Sequence, residues 1–473
     1  MVFSSHIFIF YFLALVLGAY YVAPKRGRHL VLTTCSYLFY AWWNPWFVFL
    51  MLISTAVDFL CGKKIHAKKS STRIRKFWVI LSIIVNLGIL AFFKYAGFFS
   101  QNVSVLAKAL GLGEVTLPPI FNDIVLPVGI SFYTFQSMSY TIDIYRGHAK
   151  PANDFLSFAC YVSMFPQLVA GPIVRYGNIA EQIRSRVHSV DNFIYGFTRF
   201  NFGFAKKILL ANPVGGIADL CFGAGDQSLS TPIAWIGVCS YAFQIYFDFS
   251  AYSDMAIGLG RMFGFSFKEN FNSPYKSESI TEFWKRWHIS LSGFLRDYLY
   301  IPLGGNRKGS RRTYCNLLIV MLIGGLWHGA QWTFIAWGGI HGMFLVIERF
   351  TGPSRHLNKC PRTLKIGITF IIILFSWVFF RAENFERAFF YLKAMIGLSD
   401  TTPASLILMS QVTRPIALFI IPISFVCIFI LPNTGQILKR LTIGKVITGL
   451  SLLILSLSMM FTQEFNPFLY FQF

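Results

Sequence analysis

The sequence predicts an all-α protein that crosses a membrane many times. Three observations carry that reading. Of the 473 residues, 55% are hydrophobic and only 13% charged, about half the charge of a soluble chain. Mean hydropathy is +0.55. The apolar residues come in blocks of roughly 17–25 residues or longer, the length an α-helix needs to span a bilayer. A transmembrane barrel would show short alternating segments instead. About 10–13 membrane helices are expected, some of them re-entrant.

The first apolar run covers 7–23 and is followed by Lys25, Arg26 and Arg28. With no basic stretch before it, a retained anchor is expected rather than a cleaved signal, its N-terminus outside. Residues 30–60 exceed one simple span and break at Asn44-Pro45, where proline withholds a backbone donor. Two tilted legs joined outside fit that stretch. The segment 62–76 carries Lys63, Lys64, Lys68, Lys69, Arg73, Arg75 and Lys76 without an acid, which places it in the cytoplasm. Residues 77–99 then lead outward and 100–123 form an external segment. Residues 124–145 return to an inner face marked by Arg146, His148 and Lys150. The block 155–174 is interrupted by Pro166, Gly171 and Pro172. It reads as a broken or re-entrant segment, tolerated at membrane depth only under cover of protein or a water-filled cavity. Further apolar blocks lie near 192–211, 232–263, 314–348, 364–380, 412–431 and 443–462. With no repeat and no soluble domain in view, residues 1–473 read as one integral-membrane domain. Its catalytic core is placed at 124–350, flanked by N-terminal helices at 1–123 and C-terminal helices at 351–473.

The 42 Lys and Arg against 20 Asp and Glu give a formal charge of +22. Between apolar blocks this is first a signal of topology rather than of nucleic acid. Anionic lipid or an anionic cytosolic substrate also suits it. The eight cysteines are scattered without a CxxC pair, so neither a disulfide framework nor a zinc site is expected. No P-loop, HExxH or GxSxG motif occurs, which leaves ATP-driven transport and serine hydrolysis unsupported.

Polar exceptions concentrate between 244 and 345. The run Gln244-Ile-Tyr-Phe-Asp248-Phe-Ser-Ala-Tyr-Ser-Asp254 sets two acids in an apolar block. Each needs a partner or water, and Arg261, on roughly the face of Asp254, is the candidate for an internal ion pair. Next, Ser279 and Glu282 have capping-box spacing, and Glu282 with Arg286 forms an i,i+4 pair. The following Trp287-His288 continues a stretch too polar for a lipid-facing span, as in an interfacial or re-entrant helix. A turn at Ile301-Pro302-Leu-Gly-Gly-Asn306 precedes Arg307, Lys308, Arg311 and Arg312. This basic rim suits a phosphate-bearing substrate, although on charge alone plain topology charges are the first reading. Third comes Gly324-Gly325-Leu326-Trp327-His328-Gly329. An ionisable His inside an apolar block is a functional candidate, and small neighbours let helices or a thin substrate approach. His341 follows in Trp337-Gly-Gly-Ile-His341-Gly342. For each histidine a hydrogen-bonded structural role competes with chemistry, and no spacing supports a metal site.

At these residues the sequence resembles the membrane-bound O-acyltransferase family, and within it bacterial members that acetylate alginate, other exopolysaccharides or peptidoglycan. The resemblance runs through Tyr40-Ala-Trp-Trp, Leu126-Pro-Val-Gly-Ile-Ser-Phe-Tyr-Thr-Phe-Gln136, Ala170-Gly-Pro-Ile, Tyr246-Phe-Asp-Phe-Ser, Glu282-Phe-Trp-Lys-Arg-Trp-His-Ile-Ser-Leu-Ser, Leu303-Gly-Gly-Asn-Arg-Lys-Gly, Gly324-Gly-Leu-Trp-His-Gly and the terminal Phe468-Leu-Tyr-Phe-Gln-Phe. It implies a helical bundle around a central tunnel, with His328 and His288 as the catalytic pair. His328 would act as general base, and His288 would steady the oxyanion or orient the acceptor. The donor implied is acetyl-CoA, a substrate rather than a tightly bound cofactor, its phosphates held by Arg307, Lys308, Arg311 and Arg312. The acceptor implied is an extracytoplasmic polysaccharide, reached through a periplasmic partner from the bacterial inner membrane. A transporter of an acetyl carrier is the rival from another class.

Overall fold

The computed structural model describes residues 1–68, 70–113, 124–169, 171–352 and 360–463. Regular structure among the described residues is entirely helical. The chain forms two compact units. One comprises Met1–Phe193 with Leu259–Phe267, the other Ile194–Gly258 with Lys268–Phe473. The boundary thus falls inside the 124–350 stretch assigned to the core.

In the first unit, α1 (Arg28–Ala41) ends and α2 (Trp46–His66) begins at the expected Asn44-Pro45 break. The Asn44 side chain accepts from the Trp46 N–H at 3.0 Å, an Asx-type turn. The basic stretch is less of a loop than its composition suggests. α2 runs on through Lys63 and Lys64, where the carboxyl end of the helix dipole favours cations. The next helix, α3 (Thr72–Ala109), opens with Ser71 capping the Ile74 N–H at 3.4 Å. α3 has 38 residues, about 57 Å at 1.5 Å per residue, so it extends well past a hydrocarbon layer of about 30 Å. It also takes up much of the segment expected outside, and residues 114–123 of that segment lie outside the described residues. α4 (Ile130–Tyr145) is buried on nearly every side although it carries Ser131, Thr134, Gln136, Ser137, Ser139 and Thr141. The block at 155–174 is broken, as expected, into helices Phe155–Ser163 and Phe165–Leu168. Gln167 donates back to the Tyr161 carbonyl at 2.8 Å, which satisfies backbone that the break exposes.

The second unit holds most of α5 (Val190–Ala205) and of α6 (Thr231–Met262), then α7 (Ile280–Arg286), α8 (Ile289–Leu295), α9 (Gly309–His328), α10 (Trp332–Thr351) and α11 (Arg362–Arg381). Here the expected pairing of Asp254 with Arg261 is corrected. Asp254 meets Arg199 of α5 at 2.7 Å and Lys206 at 2.5 Å, and Arg199 also holds Glu269 at 2.6 Å. Seven residues along one helix separate two positions by about 10 Å, whereas a neighbouring helix brings its side chains into contact. A π-helical turn, Lys206–Ala211, follows α5. Its two lysines serve two acids of α6, because Lys207 pairs with Asp248 at 2.6 Å. Each of these four buried charges, Arg199, Lys207, Asp248 and Asp254, therefore has its opposite, as a low-dielectric interior favours.

Among the described residues, four helices are long and apolar enough to cross a membrane: α2, α3, α11 and Ile443–Met460. The pair Pro403–Val412 and Pro415–Ile430, bent by 64°, would make a fifth as one broken span.

Candidate active site

α9 and α10 form a tight hairpin, and glycine is the reason. A Cβ on Gly325 would run into the Phe334 carbonyl, and one on Gly338 into the Met321 carbonyl. The two backbones touch, as small-residue crossings in membrane helices do. This contact seats His328, the last residue of α9, among three rings. Trp327, Trp337 and Phe380 have centroids 4.9, 5.3 and 5.3 Å from the imidazole. His328 is 5% exposed.

His288 lies between α7 and α8 and is fully buried. It is one of two non-glycine residues with positive φ among those described, at +43°. That left-handed backbone costs about 1–2 kcal/mol, and strain of this kind gathers at functional sites. Asn270 supports the strained turn. Its side-chain oxygen accepts from the Ser290 N–H at 3.0 Å and the Ser290 hydroxyl at 2.9 Å, and lies 3.3 Å from His288 Nδ1. Phe249 meets the imidazole edge-on at 4.7 Å. Trp327 lies 6.2 Å from His288 and 4.9 Å from His328, so one indole touches both histidines expected from the sequence.

The α7 start was legible only in part. Ser279 caps the Glu282 N–H at 3.1 Å, but Glu282 accepts from the Glu278 N–H at 2.7 Å and pairs with Arg286 at 2.5 Å. The reciprocal half of the capping box is therefore not made.

His341 is of a different kind. Ser376 donates its single hydroxyl proton to the Ile373 carbonyl at 2.7 Å. Its oxygen, 3.0 Å from His341 Nε2, is left to accept, which puts the ring proton on Nε2. His341 Nδ1 accepts in turn from the Trp284 indole N–H at 3.3 Å. Both ring nitrogens are thus committed to protein partners, which makes His341 a buried brace between α7, α10 and α11. Arg296 and Asp297, neighbours in sequence, pair with each other at 2.7 Å near the surface.

Arg307, Lys308, Arg311 and Arg312 are all exposed, around a turn with positive φ at Gly304, Gly305 and Gly309. Asn316, wholly buried, holds the turn by donating to the Gly305 carbonyl at 3.0 Å. These four residues stand at the opposite end of α9 from His328, a 20-residue helix of about 30 Å. The structure brings the two histidines together around Trp327 and leaves the basic cluster a helix length away. Sequence reasoning missed Asn270 and Ser376, whose surroundings carry no motif, and gave no role to Ser290 although it lies in the Glu282–Ser292 motif. Among the described residues no group of three or more His, Cys, Asp or Glu could hold a metal ion.

Residues 29–386 match the family described as MBOAT, membrane-bound O-acyltransferase family. The chain is 48% identical to a probable alginate O-acetylase of Pseudomonas aeruginosa, over 84% of this chain and 75% of the relative. It is 42% identical to a probable alginate O-acetylase of Pseudomonas putida across the whole of both chains. A peptidoglycan O-acetyltransferase of Helicobacter pylori is 38% identical, over 85% of this chain and 81% of the relative. With a family match covering most of its length, this multi-pass membrane protein belongs to the membrane-bound O-acyltransferase family and is an acyltransferase.

Proposed function

We propose that the protein takes acetyl from cytosolic acetyl-CoA and passes it across the bacterial inner membrane for O-acetylation of alginate or a similar exopolysaccharide. The observation that carries this is the buried pair His288 and His328 around Trp327, in a chain 42% identical end to end to a probable alginate O-acetylase. Acyl transfer needs two services. A base must take the proton of the incoming hydroxyl, and a donor must steady the negative oxygen that forms on the thioester carbonyl. The hydroxyl oxygen then bonds to the carbonyl carbon, the C–S bond breaks, and the thiol leaves with the proton. Two histidines suffice for both, and the family resemblance gives the base to His328. Arg307, Lys308, Arg311 and Arg312 would gather the donor's phosphates at the cytoplasmic end of α9, with the acyl end reaching along the helix toward His328.

Because donor and polymer lie on opposite sides of the membrane, a periplasmic partner completes the transfer. Peptidoglycan is the second acceptor to weigh, through the Helicobacter relative at 38% identity.

In a deletion strain, His328→Ala should abolish polymer O-acetylation while the protein stays inserted at normal abundance. Full acetylation by that variant would overturn the assignment. Mass spectrometry of exopolysaccharide and of peptidoglycan from the same strain identifies the polymer. Purified protein that carries acetyl-CoA across vesicles without releasing CoA would replace the enzyme reading with a transporter.

A further inference from the structure

In the first unit, the half-buried Arg28 and Arg186 share one wholly buried ring. Their guanidiniums lie 5.4 and 5.9 Å from the centroid of Tyr20, and Arg186 also covers Phe265 at 4.3 Å. Among the described residues neither is paired with a carboxylate. Each is held by a histidine instead. Arg28 Nη1 lies 3.4 Å from His188 Nδ1, and Arg186 Nη1 lies 2.9 Å from His29 Nε2. A guanidinium can only donate, so both ring nitrogens accept and both imidazoles are neutral. The His188 proton then sits on Nε2 and goes to the Tyr20 oxygen at 3.0 Å. The Tyr20 hydroxyl donates onward to the Phe263 carbonyl at 3.0 Å. Burial, followed by Arg28 and Arg186, holds the His188 pKa below its usual value. Gly264, at φ +81°, makes room for this chain, because a Cβ there would stand 3.1 Å from His188 Nε2 and 3.4 Å from Arg186 Cβ.

Neutral partners fix the two guanidiniums without cancelling their charge. The second unit treats its buried arginine differently, since Arg199 meets two acids. Two positive groups around one ring repel each other, and their remaining N–H donors suit an anion with several acceptor oxygens, which is phosphate chemistry. Lys25 and Arg26, both exposed, extend the positive field. Exposed apolar side chains flank the cluster, with Leu15, Tyr21 and Val22 before Arg28 and Leu30 after it. In a membrane protein those side chains meet acyl chains, and basic residues beside them meet anionic headgroups. A soluble phosphate has no use for that apolar border.

We propose that Arg28 and Arg186 form a binding site for the phosphate of an anionic phospholipid, with His188 and His29 holding the two guanidiniums in place. The site lies at the end of the helix Leu13–Val22 and stands apart from the acyl-transfer reading. The test titrates the full-length protein in detergent with phosphatidylglycerol or phosphatidylcholine, followed by native mass spectrometry and thermal melting. The unsubstituted protein should retain phosphatidylglycerol and melt higher with it, and phosphatidylcholine should do neither. Arg28→Gln combined with Arg186→Gln should weaken phosphatidylglycerol binding about tenfold or more, whereas Arg26→Gln should weaken it by less than about threefold. Inorganic phosphate and acetyl-CoA at the same concentration should give no protection. Equal protection by either would assign the site to a soluble phosphate and overturn the proposal. Equal retention of phosphatidylcholine, or undiminished phosphatidylglycerol binding in the double variant, would overturn it as well. Should the double variant fail to accumulate, phosphatidylglycerol with a photoactivatable headgroup decides the matter on the unsubstituted protein. Label within residues 20–30 and 183–188 is expected, and label confined to other segments refutes the site.

Discussion

His328 and His341 sit against the same Trp337 ring, at 5.3 and 4.9 Å, yet they invite opposite expectations. His341 is satisfied at both nitrogens by Ser376 and Trp284. Replacing it with Leu removes the acceptor of the half-buried Trp284 indole N–H and the donor to the buried Ser376 oxygen, at a cost of about 1–3 kcal/mol. His341→Leu should therefore melt earlier in detergent, with acetylation falling only as folded protein falls. His328→Ala should show the reverse, abundant protein without product. A thermal melt and a polymer assay on both variants separate a brace from a reacting group. If His341→Leu were fully stable but inactive, the brace assignment would be wrong.

The α9–α10 hairpin turns two glycines into a functional requirement. Gly325 and Gly338 allow backbone-to-backbone contact, and that contact sets how deep His328 sits. Gly338→Val would drive a side chain into the Met321 carbonyl and force the helices apart, at about 1–3 kcal/mol or more. Stability and acetylation should fall together. Gly339, whose nearest neighbour is the Leu322 side chain at 3.5 Å, should accept Ala with little change, and parallel melts of the two variants check the contrast. The α5–α6 pair combines charge with close approach, since a Cβ on Gly203 would run into the Ala251 carbonyl and one on Gly258 into the Gly196 carbonyl. Its turn at Lys206–Ala211 lets consecutive lysines reach Asp254 and Asp248.

For the whole molecule, basic residues gather at separate places. Lys63 and Lys64 close α2. Arg307, Lys308, Arg311 and Arg312 cluster on an exposed turn at the far end of α9 from the histidines. On the proposed donor-binding role, neutralising the four should raise KM for acetyl-CoA several-fold with kcat nearly unchanged, because the cluster stands a helix length from His328. The defect should shrink at high salt, since surface charges are screened over about 8 Å at physiological ionic strength. Kinetics at two salt concentrations tests this, and a loss confined to kcat would refute the donor-binding role.

The helical membrane class, the break at Asn44-Pro45, the interrupted block at 155–174 and the two histidines worth testing were all legible in residue order alone. Those features are local: span length, a missing proline donor and an ionisable group amid apolar residues are all written in consecutive positions. The partners came from packing. Asp254 belongs to Arg199, 55 residues away, His341 to Ser376, 35 away, and His288 to Asn270, 18 away. A buried polar group must find a counterpart, but which one it finds depends on which helices lie side by side. Composition and spacing do not contain that geometry, because it is set by which residues distant in the chain the packed helices bring together.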